Sequence, residues 1–203
     1  MTNKLNWAIV SETIQNKRIT LFTPGIFFNL FNVSENTGKS LLSSYTKRGF
    51  FIKIKNGFYI TKFFKPNDFE IANKIYRPSY ISFETALSYY NILPETVYSI
   101  TSTTTKASRN YTVLNKSFIY HRIKEELFWG YDTIDINGQT IWMADKEKAL
   151  LDYLYFVIMK KKTNNDRLNI KNISVTKIKK YLKKYNNPLL NAEIKKLLIM
   201  NND

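Results

Sequence analysis

Cysteine is absent from these 203 residues, and histidine occurs once, at His121. The first absence excludes disulfides and thiolate metal sites. The two together leave too few nitrogen and sulfur donors for a transition-metal centre, and no cofactor is expected. A catalytic triad built on His121 lacks an evident partner, so this residue reads as structural. No apolar run approaches the roughly 18 residues needed to cross a bilayer, and Met1–Trp7 lacks a basic-then-apolar signal pattern. The expectation is a cytoplasmic protein with no membrane partner. Gly38-Lys39-Ser40 has the end of a phosphate-binding loop, but Val33 stands where its first glycine belongs and no strand leads in. That excludes a P-loop.

Carboxylates are scarce at both ends of the chain. Residues 1–65 hold 10 Lys/Arg against 2 Asp/Glu, a net of +8. Residues 66–163 hold 12 against 11, and residues 164–203 hold 9 against 3. The overall +15 therefore sits at the ends and calls for a polyanionic partner.

What is present centres on Ser34 to Ile60. Ser34 is an N-cap, Glu35 lies in the first helical turn, and Gly49 stops the helix after Lys47-Arg48. At about 100° per residue, Gly38, Leu41, Leu42 and Tyr45 share the inner face. Asn36, Ser40, Ser43 and Lys47 share the outer one, with Lys39 at its edge. That outer face carries no carboxylate and is built of groups that read bases or grip phosphates. Phe50–Lys55, Asn56-Gly57 and Phe58–Ile60 then spell a hairpin, since both turn residues accept positive φ. The expected DNA contacts are Asn36, Thr37, Lys39, Ser40, Ser43 and Lys47 on the helix, with Lys53, Lys55 and Asn56 on the hairpin. Before them stand a helix over Asn6–Lys17, a β-prone run Ile19–Phe22, and a helix opened by Thr23-Pro24.

Helix, strand, helix, helix, hairpin is winged-helix order. The fold class expected is α+β: a winged helix-turn-helix over residues 1–65, then a mixed α+β domain over 68–203. Pro66 marks the boundary. Helices are expected at Asp68–Ile75 and Phe83–Tyr90, the latter capped by Ser82. Strands follow at Val97–Thr103, Ser117–Ile123, Tyr131–Ile136 and Thr140–Met143, the last two joined by Asn137-Gly138. Asp145 caps a long helix over Lys148–Met159. A basic helical tail from about 173 holds helices Val175–Tyr185 and Leu189–Met200. Ile178, Tyr181, Leu182 and Tyr185 form a stripe on the first of these, and Lys177, Lys179, Lys180, Lys183 and Lys184 cover most of the remainder. A solvated helix, a second nucleic-acid contact and a membrane-surface helix all fit that pattern, the first being the default.

The run Tyr80-Ile81-Ser82-Phe83-Glu84-Thr85-Ala86-Leu87-Ser88-Tyr89-Tyr90 precedes Leu93-Pro94-Glu95-Thr96-Val97-Tyr98. Tyr120–Ile123, Phe128-Trp129-Gly130-Tyr131 and Glu147-Lys148-Ala149-Leu150-Leu151-Asp152 follow in order. This series resembles the AbiEi-type antitoxin and transcriptional regulator family of abortive-infection phage defence. The chain departs from the family pattern in having Asp145-Lys146 where a small residue and proline precede Glu-Lys-Ala. The resemblance implies an N-terminal winged helix that binds its own operator in double-stranded DNA, and a C-terminal antitoxin domain. The partner implied is a nucleotidyltransferase-like toxin, with no stable complex required. Glu84, Glu95, Arg109 and Arg122 are the candidates for an antitoxin surface.

A second class stays open beside it, a nucleic-acid enzyme targeted by the winged helix. Nine carboxylates from Glu84 to Asp152 are numerous enough for a Mg²⁺ site. Glu193-Ile194-Lys195 has the form of a nuclease motif, although it stands in a helix. Asp145 and Glu147 are better explained as a cap and its first turn. The expectation is therefore a regulator and antitoxin without catalysis.

Overall fold

Three short polar side chains start the first helices. Asn6, Thr23 and Ser34 sit in extended backbone and accept the N–H of Ile9, Ile26 and Thr37. Each satisfies a donor that the first helical turn leaves free. In the computed structural model, which describes residues 5–54 and 57–200, they open α1 (Trp7–Asn16), α2 (Pro24–Phe31) and α3 (Glu35–Lys47). β1 (Leu21–Phe22), β2 (Phe51–Lys53) and β3 (Tyr59–Thr61) form an antiparallel sheet in the order β1-β3-β2. Ile52 pairs Ile60 and Lys53 pairs Tyr59. Lys55 and Asn56, expected at the hairpin tip, lie outside the described residues, while Gly57 takes the left-handed φ of +74° that the turn needs.

Val10, Ile14, Phe22, Phe27, Leu42, Tyr45, Phe51 and Tyr59 form the core of this part. Trp7 closes it, stacked on Phe50 with centroids 3.9 Å apart and planes 13° apart. A Cβ on Gly38 would stand 2.2 Å from the Phe28 ring. Glycine is thus what lets α2 and α3 approach here.

The chain divides into two units, Met1–Ile71 and Ala72–Asp203. The division falls inside α4 (Asp68–Ile75) rather than at Pro66, where the sequence puts it. The reason is a buried hydrogen bond, 2.6 Å from the Thr20 hydroxyl to Glu70, which ties the first turns of α4 to the strand end.

The second unit is built on a six-stranded mixed sheet, in the order β6-β7-β5-β4-β9-β8. These strands are β4 (Ser79–Ile81), β5 (Ile100–Thr104), β6 (Arg109–Val113), β7 (Lys116–Arg122), β8 (Tyr131–Ile136) and β9 (Gln139–Ala144). β4 and β6 are not legible in the sequence. β4 is three residues after a cis Arg77–Pro78 peptide, and β6 returns through Leu114-Asn115, whose left-handed φ values carry no glycine signal. The Asn73 side chain extends the ladder beside β9: it accepts from the Trp142 N–H at 2.6 Å and donates to the Trp142 carbonyl at 3.2 Å.

α5 (Phe83–Tyr89) and α6 (Lys146–Ile158) cover one face of this sheet, and Tyr120 reaches from the other to the Ala72 carbonyl. Asp145 caps α6 as expected, accepting from the Lys148 N–H at 2.8 Å. Ser82 does not cap α5 with its side chain. Its hydroxyl instead donates to Asp152 at 2.8 Å.

That bond belongs to a buried network. Asp152 also accepts from the Tyr80 hydroxyl at 3.1 Å, from the Tyr185 hydroxyl at 2.6 Å and from Lys148. Lys148 and Asp152 have fully buried side chains, and the ammonium sits 4.9 Å from the Trp129 ring centre. Burial pulls Lys148 below its usual pKa range, against the attraction of Asp152. Tyr185 comes from α7 (Val175–Tyr185), so the network holds that helix to α6. Lys177, read as part of the solvated face, is instead paired with Asp145 at 3.2 Å and Glu147 at 3.1 Å. Burial raises Glu147, but the Ser174 N–H and Lys177 outweigh it and hold its carboxyl below the usual value. α8 (Pro188–Met200) buries Leu190 and Ile194.

Breaking the buried pair leaves one charge unmatched. Lys148→Met or Asp152→Asn should lower unfolding free energy by about 3–5 kcal/mol in a urea titration followed by circular dichroism. Glu35→Ala, which removes an exposed pair with Lys39, should leave the curve almost unmoved.

Candidate nucleic-acid interface

The helical spacing of Gly38, Leu42 and Tyr45 decides which side of α3 faces out. Gly38, Leu42 and Tyr45 are buried, whereas Asn36, Thr37, Lys39, Ser40, Ser43 and Lys47 are exposed. At the C-terminus Gly49, at φ +74°, donates to the Thr46 carbonyl, and Phe50 donates to that of Tyr45. This reversal sends the chain directly into β2 and sets the hairpin beside the helix.

α3 and the hairpin enclose a groove of about 460 Å³. Lys39, Lys47 and Lys53 stand along it, Leu42 and Tyr59 line its apolar part, and Ser43 supplies a hydroxyl. Thr46 also lines it, and its buried hydroxyl finds no partner among the described residues. A second concavity on α3 adds Arg48 to Lys39, Ser40, Ser43 and Lys47. Arg48 is not among the expected DNA contacts, because its position beside Gly49 marks only a helix end. Its guanidinium lies over the Phe50 ring at 4.7 Å, a placement that depends on the tertiary fold.

One charge differs from expectation. The outer face of α3 is free of carboxylates, but Glu35 at its edge pairs with Lys39 at 2.5 Å. The hydrogen bond from Lys39 holds the Glu35 carboxyl below its usual value. Lys47 and Lys53 are thus the less compensated cations of the groove. Lys55 and Asn56 lie outside the described residues.

In the second unit the four surface candidates do not converge. Glu84 in the first turn of α5 is clamped by Lys162, with Nζ 2.7 and 2.8 Å from its two oxygens. Glu95 pairs with the exposed Arg167 at 3.3 Å. Arg109 is paired in register with Tyr120 across β6 and β7, and Arg122 lies two residues beyond Tyr120. The two arginines therefore share the sheet face opposite to the α5 side that carries Glu84. Glu84 and Glu95 are held in ion pairs, whereas Arg109 and Arg122 are exposed. Among the described residues no three His, Asp or Glu side chains form a group able to hold a metal ion, and no helix is long and apolar enough to cross a membrane.

No family model matches the chain, and no curated protein matches it.

His121 lies on β7 between the Phe83 and Phe156 rings, at 5.0 and 5.4 Å. Burial, then the neighbouring Lys162, bring its pKa down to about 4 from 6.5. The folded state thus resists a proton that the unfolded chain accepts, so stability is intact above pH 6.5 and falls as pH drops toward 4. As the sole histidine its ring proton resonances are unambiguous. NMR titration should find a midpoint near 4 in the folded protein and near 6.5 in urea.

Proposed function

We propose that the chain is a DNA-binding autorepressor that also acts as the antitoxin of a nucleotidyltransferase-like toxin. In this reading the N-terminal unit is a winged helix-turn-helix, with α3 as recognition helix and β2–β3 as wing. The observation that carries it is the exposed face of α3, where Asn36, Ser40, Ser43 and Lys47 stand beside a groove shared with Lys53. An α-helix of this kind fits the major groove, with amides and hydroxyls on base edges and flanking lysines on phosphates. The net charge of +8 over residues 1–65 supports the same partner.

Mobility-shift titrations at several salt concentrations separate the two kinds of contact. Asn36→Ala or Ser40→Ala should cost about 1–3 kcal/mol on the cognate site and relax base preference. Lys47→Ala or Lys53→Ala should weaken all sequences alike and flatten the salt dependence. Unchanged affinity in an Asn36/Ser40/Lys47 triple alanine variant would overturn the assignment.

The antitoxin half rests on the ordered run of motifs from Tyr80 to Asp152 and its resemblance to the AbiEi type. Full-length protein carrying Lys39, Lys47, Lys53 and Lys55 as alanine should lose operator binding yet still rescue growth when co-expressed with the toxin encoded beside it. Rescue that disappears together with DNA binding would reduce protection to repression.

A further inference from the structure

The second unit holds a pocket that the regulator reading does not use. It has a volume of about 460 Å³ and is lined by Arg77, Pro78, Ser79, Phe128, Tyr131 and Trp142. Its aromatic wall is fixed from behind. Tyr131 stacks on the buried Tyr80 at 4.3 Å and meets Phe128 at 5.2 Å and Trp142 at 5.8 Å. The Trp142 backbone is clamped by Asn73, yet its side chain leaves the residue 42 % exposed. An aromatic ring held rigidly and left open is a stacking platform.

One polar group completes it. Arg77 donates Nε to the Asn73 carbonyl at 3.1 Å, which fixes the guanidinium at the rim. Its two Nη groups find no partner among the described residues, and no carboxylate lines the pocket. Such a fork suits a phosphate.

We propose that this pocket binds a nucleotide unit, with the base stacked on Trp142 and the phosphate on Arg77. An aromatic side chain of a partner protein would fill the rings but leave the cation unmatched, whereas a nucleotide brings ring and anion together. The volume lies in the range of small-ligand sites. The same chemistry arrives as a free nucleotide or as an unpaired residue of a single strand.

The test uses full-length protein with Lys39, Lys47, Lys53 and Lys55 changed to alanine, so that the first unit contributes little. Calorimetry and tryptophan fluorescence follow titration with AMP, CMP, GMP, UMP, adenosine and a single strand of about eight nucleotides. At least one monophosphate should bind saturably. Arg77→Ala should weaken it by about tenfold or more while leaving adenosine unchanged, and Trp142→Ala should weaken both. Both residues are solvent-accessible, and unchanged thermal melting confirms that the variants fold. A single strand binding more tightly than any monophosphate, with the gain lost in both variants, identifies the strand as the source. Equal affinities identify the free nucleotide. No saturable binding of any nucleotide, binding that both variants retain, or preference for an acidic aromatic peptide would overturn the proposal.

Discussion

Asp152 is the point on which the second unit depends. A carboxylate removed from water is tolerable only when its lone pairs are filled, and here Lys148, Tyr80, Ser82 and Tyr185 fill them. Those four donors come from α6 itself, from β4, from the start of α5 and from the end of α7. A shift of any of these elements would strand a buried charge, so the network selects one arrangement rather than adding much net stability. Glu147 and Asp145 extend the same logic outward by capturing Lys177 and Tyr181 of α7.

This changes what the Glu147–Asp152 run means. It belongs to the series that resembles the AbiEi type, and Glu147, Lys148 and Asp152 are all buried. The run is what a packed interior needs, so its resemblance to a family pattern speaks first to architecture. The surface chemistry of this unit lies elsewhere, in the exposed arginines of β6 and β7 and in the open aromatic wall beside β4, β8 and β9.

The N-terminal unit is organised by the opposite means. Its central cluster is aliphatic and aromatic, and most of its charges are left to the surface, Glu70 being buried against the Thr20 hydroxyl. Trp7, Phe22, Phe51 and Tyr59 supply large contact area from short elements, which suits a unit of this size. The proposed DNA interface then consists of what the core leaves over: the outer side of α3, the groove toward β2–β3, and lysines set by neighbouring turns.

Local signals settled the local elements. Asn6, Thr23, Ser34 and Asp145 each start the helix that their side chain caps, because a cap acts within three residues and needs nothing distant. Asn137-Gly138 likewise made the β8–β9 hairpin legible, and the 3.6-residue period separated the inner from the outer face of α3. Only tertiary structure decided the rest. Ser82 has the residue type of a cap, but its hydroxyl is claimed by Asp152, seventy positions on. Lys177 looks solvated until Asp145 and Glu147 are brought to it, and β4 exists only because β5 and β9 flank three residues. The pocket at Arg77 and Trp142 joins positions 65 residues apart, which no window along the chain connects. A sequence carries propensity and periodicity, which are local; which donor meets which acceptor depends on chain crossings that sum over the whole fold.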